Sequence, residues 1–152
     1  MSRAFVNEDT FVDDVPDRPV SPHTNYVTPA GLAQIESALE AAQRAYAEAQ
    51  AAGERDALAR ASRDLRYWNV RRASAQLVVN DPGNKTAQFG STVTFRRDDG
   101  RQQTFQIVGE DEANPSRGAI SYVSPLARAL LGKADGDVAA FGETELEILK
   151  VR

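Results

Sequence analysis

Between Leu32 and Ala49 the apolar positions recur at alternating intervals of three and four: Leu32, Ile35, Leu39, Ala42, Tyr46 and Ala49. That spacing is a heptad seam and predicts a helix with one narrow apolar stripe. Thr28-Pro29 supplies its start, with Thr as N-cap and Pro at the first helical position. The alanines that fill the remaining positions favour helix. Ala51-Ala52-Gly53-Glu54 breaks the pattern, and Gly53 suits a turn. A second seam follows, Leu58, Ala61, Leu65 and Trp68, predicting a helix to about Val78 that stops before the breaker Asn80-Asp81-Pro82-Gly83. Two such helices joined by a short turn predict an antiparallel hairpin. Trp68 and the stretch Val70–Leu77 fall near its base, where packing in a core is the default expectation.

From Phe89 the period changes to two. Thr92-Val93-Thr94-Phe95 and Thr104-Phe105-Gln106-Ile107-Val108 flank the turn Asp98-Asp99-Gly100, a β-hairpin signature. Ala119–Val123 reads as a third strand. Ser124-Pro125 caps a short helix over 126–131, which Gly132 stops. Asp135-Gly136-Asp137 turns into a strand at Val138–Phe141, and Glu145–Val151 completes the sheet. Phe95, Phe105, Tyr122 and Phe141 are the expected core. The fold class is therefore α+β. Residues 1–25 form a flexible acidic tail, 26–80 an N-terminal antiparallel α-helical coiled-coil hairpin, 81–88 a linker, and 89–152 an antiparallel sheet with one short helix.

Charge sharpens this division. Residues 1–25 carry Glu8, Asp9, Asp13, Asp14 and Asp17 against Arg3 and Arg18, with three prolines and no sustained period, the composition of a segment that buries little. Phe5, Phe11 and Val12 are either incidental there or a short docking motif. In the hairpin the first arm is acidic, with Glu36, Glu40 and Glu48 against Arg44, and the second is rich in arginine. Opposite signs on facing arms favour their pairing.

Composition excludes several chemistries. The chain has no cysteine, so disulfides, thiolate metal sites and a cysteine nucleophile are ruled out. Its one histidine, His23, reads as a loop residue, and one histidine cannot supply a two-histidine zinc site. No apolar run is long enough to span a membrane. The N-terminal residues lack the apolar core of a secretory signal, so a cytoplasmic location is expected. The net charge of −4 argues against nonspecific nucleic-acid binding.

Two longer stretches are recognisable. FGSTVTFRRDDGRQQTFQIVGEDEA and ISYVSPLARALLGKADGDVAAF resemble the C-terminal domain of the bacterial Gre transcript-cleavage factors (GreA/GreB). YVTPAGLAQIESALE resembles the opening of their first coiled-coil helix. The resemblance covers residues 26–152. It implies an FKBP-like C-terminal domain that docks at the rim of the RNA polymerase secondary channel, with Ser124, Pro125 and Asp111 at family contact positions. It also implies a coiled coil that enters the channel, where acids at the tip help hold a second Mg²⁺ for the polymerase's own cleavage reaction. Carboxylates are hard oxygen ligands for that ion, and two-metal hydrolysis requires it.

The tip departs from the family pattern. Where the family reads Gly-Asp-x-x-Glu-Asn-x-x-Tyr, this chain reads Gly53-Glu54-Arg55-Asp56-Ala57-Leu58-Ala59-Arg60-Ala61. Glu54 matches the first acid in type, but the second falls on Ala57 and the tyrosine on Ala61. Glu54 and Asp56 also suit a helix N-terminus on local grounds alone. Each arm is shorter than the family spacing by roughly 8–10 residues, about 12–15 Å at the helical rise. The expectation is a monomeric regulator that binds RNA polymerase and meets nucleic acid only through the transcription complex. It stimulates cleavage weakly or not at all, has no enzymatic activity of its own and no tightly bound cofactor, and any Mg²⁺ is shared with the polymerase. Two alternatives stay open: a competent cleavage factor using Glu54 and Asp56, and an FKBP-like binding or prolyl-isomerase module.

Overall fold

The computed structural model describes residues 15–152, which divide into two compact units. Phe5, Phe11 and Val12 lie outside the described residues.

The helical unit contains residues 33–75, all but the first turn of the two arms, and the segment leading to Pro22. Helix α1 spans Pro29–Ala52 and helix α2 spans Arg55–Ser74. Gly53, at φ 68°, makes the turn between them, a left-handed conformation in which glycine carries no steric penalty. The turn is closed by the Glu54 N–H donating to the Ala49 carbonyl at 3.1 Å. Ile35, Ala42 and Ala49 are buried at heptad intervals on α1, and Ala61 is buried on α2. Glu36 near the start of α1 pairs with Arg72 near the end of α2 at 3.2 Å, as antiparallel arms require. The predicted seam is therefore observed, with alanine at most of its buried positions.

Helix α2 ends at Ser74, short of the expected Val78. Gln76–Leu77 instead forms strand β2, which pairs in parallel with strand β1, Tyr26–Val27. The Gln76 N–H donates to Asn25 O at 2.8 Å and the Val78 N–H to Val27 O at 2.9 Å. These bonds offer the β-branched end of the segment a better partner than another helical turn. Val70 and Leu77 are exposed, at 46% and 52%, so the core role expected across Val70–Leu77 does not extend to them.

The C-terminal unit comprises residues 23–32 and 76–152. Its main sheet is built from β3 (Thr92–Arg96), β4 (Gln102–Val108), β5 (Ala119–Ser121), β6 (Val138–Phe141) and β7 (Thr144–Val151). The strand order is β5-β4-β3-β7-β6. Neighbours run antiparallel except β4 and β5, which are parallel, so the sheet is mixed rather than antiparallel as expected. The connection that reverses direction contains a single 3-10 turn at Pro115–Arg117. Helix α3, Pro125–Leu130, begins one residue before the predicted start. It adds Ala127 and Leu130 to a core formed by Val93 and Phe95 of β3, Ile107 of β4, and Leu146 and Ile148 of β7. Of the four expected core aromatics only Phe95 is fully enclosed, while Phe105, Tyr122 and Phe141 pack partly buried against the cluster. Thr86 bridges to Ala134, and Ala87 is buried in the core, so residues 86–87 are part of this fold.

Candidate partner-docking site

Because β4 and β5 are parallel, the loops leaving their C-terminal ends emerge on the same edge of the sheet. This brings Asp111, in the loop after β4, to the same end as Ser124-Pro125, between β5 and α3. The Tyr122 N–H donates to Val108 O at 2.9 Å and fixes the two exits beside each other. Ser124 is the N-cap of α3, and its Oγ accepts from the Ala127 N–H at 3.3 Å. Pro125 occupies the first helical turn and is exposed. The capping geometry aims this short turn outward and leaves the proline ring at the surface, while Asp111 is half-buried.

The same edge carries residues that sequence reasoning did not single out. Glu112 accepts a hydrogen bond from the Thr28 hydroxyl at 2.6 Å, and Thr28 Oγ1 in turn accepts from the Gly31 N–H at 3.0 Å. The Thr28 N-cap foreseen from sequence thus exists, and a carboxylate from the sheet edge completes it. Gly31 and Gly109 provide the room: a Cβ on Gly31 would lie 2.5 Å from Glu112 Oε2, and one on Gly109 would lie 2.3 Å from the Tyr26 carbonyl oxygen. The rings of Tyr26, Phe89 and Tyr122 close this corner, with centroids 5.4–5.9 Å apart. The Tyr122 hydroxyl donates to the Thr24 carbonyl. The sequence signals were the two glycines, each a few residues from a polar partner, but nothing in the pattern pairs them across the chain.

The hairpin tip is arranged differently. Glu54 occupies the N-cap position of α2 without capping it through its side chain, and Asp56 lies in the first turn. Both are exposed, as is Arg55 between them. Among the described residues no group of three or more acids or histidines converges in a way that could hold a metal ion. The second family acid position is Ala57, which is half-buried beside the partner arm.

Residues 82–152 match the family described as "Transcription elongation factor, GreA/GreB, C-term". This matched stretch, a little under half of the chain, is similar to the C-terminal domain of the GreA/GreB factors. Similar proteins include the transcription elongation factor GreA of Alkalilimnicola ehrlichii, 46% identical over 53% of this chain and 55% of its own length. They also include GreB of Neisseria meningitidis serogroup B, 41% identical over 59% of this chain and 58% of its own. The matched region thus spans little more than half of these relatives. A solved structure, the GreA factor homolog 1 protein of Thermus thermophilus, aligns over 86% of this chain and 99% of its own at 21% identity and a TM-score of 0.41, too distant to bear on function. No helix among the described residues is long and apolar enough to cross a membrane.

Proposed function

We propose that this chain is a monomeric, cytoplasmic regulator of transcription elongation that docks on bacterial RNA polymerase through its Gre domain and gives weak or no stimulation of transcript cleavage. The observation that carries the reading is the contrast between the two units. The C-terminal domain matches the Gre family over residues 82–152 and has Ser124, Pro125 and Asp111 at one end of its sheet, whereas the exposed carboxylates near the tip, Glu48, Glu54 and Asp56, form no metal-holding group. Exposed carboxylates without a fixed cradle are a poor site for Mg²⁺, which demands near-octahedral oxygen geometry at about 2.1 Å. Helix α1, with 24 residues, is about 36 Å long at the helical rise, and its short reach separates the tip further from the chemistry. Any Mg²⁺ would belong chiefly to the polymerase. The isomerase alternative gains nothing, because Phe95 and Phe105 stack in the core and Tyr122 packs against Tyr26 and Phe89.

The test is competition. The full chain is titrated against a labelled Gre factor on core polymerase, then assayed on a backtracked complex. Displacement without accelerated cleavage is expected. Failure to displace at saturation would refute docking, and strong cleavage that depends on Glu54 and Asp56 would make the chain a competent cleavage factor.

A further inference from the structure

The segment before the first strand carries no helix or strand, yet it is seated on the second arm. The Asp17 carboxylate accepts from Arg66 Nε at 2.7 Å. Arg66 is already oriented by a 2.8 Å bond from its Nη1 to Ser62 Oγ, one turn earlier on α2. The Arg18 guanidinium lies over the Tyr67 ring at 3.9 Å and 5.3 Å from that of Trp68, and pairs with Asp64 at 3.4 Å. Arg63 reaches the same Asp64 oxygen at 3.3 Å. Val20 and Val70, each a little under half exposed, border a small residual cavity of about 80 Å³ under the segment.

We propose that this face of α2, centred on Arg66, Tyr67 and Asp64, is a docking surface for an extended segment of another protein that sets a carboxylate beside a cation, and that residues 17–20 occupy it in cis as a releasable strap. Three observations support exchange over permanent attachment. The ion pairs are between groups at least a third exposed, 36% and 35% for Arg18 and Asp64 and 53% and 71% for Arg66 and Asp17, so water and salt compete with them. The strap leaves a cavity rather than filling the face. And Arg66 and Asp64 offer one charge of each sign on this face, so any segment that sets a carboxylate beside a cation can take the strap's place. A basic face with two aromatic rings also suits single-stranded RNA, but Asp64 sits in its centre and would repel phosphate. The present occupant, a carboxylate on Arg66 beside a cation on Asp64, is the chemistry of a peptide.

The experiment uses the full chain with Asp17→Arg and Arg18→Glu, which reverses both strap contacts and leaves α2 untouched. The probe is a fluorescein-labelled peptide of residues 15–22, VPDRPVSP, titrated to millimolar concentration, the range of effective concentration that a short tether supplies. Peptide binding at least ten-fold tighter to the released chain than to the unmodified one is expected. It should be lost on adding Arg66→Glu and be unaffected by excess oligouridine RNA. Emission of Trp68, the only tryptophan, should change on release and return as the peptide binds. Arg18→Ala alone should shift it in the same direction, which guards against misfolding of the doubly reversed chain. Equal binding to both chains, no binding to either, insensitivity to Arg66→Glu, or displacement by RNA would each overturn the proposal.

Discussion

Thr28 and Glu112, 84 positions apart in sequence, share a hydrogen bond of 2.6 Å that ties the first turn of α1 to the loop after β4. Thr28 is 4% exposed, so its hydroxyl needs a partner, and it serves two, donating to Glu112 and accepting from Gly31. Glu112→Ala should lower stability by about 1–3 kcal/mol, the cost of orphaning a buried polar group. For a chain of this size that corresponds to a midpoint about 2–12 °C lower. Thr28→Ala should cost a similar amount, and the double variant should cost less than the sum of the two. Strict additivity in thermal melts would show the contact to be incidental.

Gly31 and Gly109 make a sharper comparison. A methyl group at Gly31 meets the end of the Glu112 side chain, which can swing away at the expense of the Thr28 bond. A methyl group at Gly109 meets the backbone oxygen of Tyr26, which cannot move without unseating β1. Gly109→Ala should therefore destabilise by more than Gly31→Ala, by about 2 kcal/mol or more against about 1, on the scale of overpacking and of one lost hydrogen bond. Denaturant midpoints decide the order, and the reverse order would contradict this geometry.

Much of the fold was legible because the two periods are strong. The heptad seam predicted the burial of Ile35, Ala42, Ala49 and Ala61, and the alternation from Thr92 predicted the burial of Val93 and Phe95. Strand direction was not legible, because alternation is the same in parallel and antiparallel strands, so β5 was assigned to the wrong kind of sheet. Strand β2 was read as helix because Ala73-Ser74-Ala75 continues a helical composition, while its partner, Tyr26–Val27, lies far earlier in the chain. In the candidate site, Ser124, Pro125 and Asp111 were found through the family motif. Glu112 and the glycines beside it emerge only when the chain is folded. The contacts of Asp17 and Arg18 were invisible for a related reason: isolated charges in a proline-containing stretch look like a solvated tail.

Those contacts make a prediction about truncation. Removing residues 1–22 should lower the stability of the helical unit by about 1–2 kcal/mol, the sum of two partly exposed ion pairs and the contacts of Arg18 with the Tyr67 and Trp68 rings. The loss should shrink in high salt. A truncated chain that melts with the full-length one in dilute buffer would mean that the strap contributes nothing.

Asp99, in the turn between β3 and β4, titrates below its ordinary value of 3.8 because the Arg101 N–H donates to its carboxylate, with the Arg101 side chain adding a second bond. A depressed folded-state pKa means that its contribution is present above the unfolded value and is lost as pH falls through the folded one. Since the backbone bond is the larger cause, Arg101→Ala should raise the Asp99 pKa only part of the way to 3.8 in a carboxyl NMR titration. Full return would assign the effect to the side chain instead.

The docking edge can be probed without touching the tip. Ser124→Glu with Pro125→Ala should weaken polymerase binding by about tenfold or more, equivalent to about 1.4 kcal/mol, while the midpoint falls by no more than the loss of one helix cap, about 1 kcal/mol. Unchanged affinity in the competition assay would place the contact elsewhere.

The central claim is docking without cleavage, and it is tested most directly by RNA release from a defined backtracked elongation complex saturated with the unmodified chain. The prediction is a cleavage rate close to that of polymerase alone, unchanged by Glu54→Ala or Asp56→Ala and not raised by Ala57→Glu, because side-chain reach would not close the gap of about 12–15 Å that the family resemblance implies. Rapid cleavage by the unmodified chain, abolished by either alanine substitution, would contradict it.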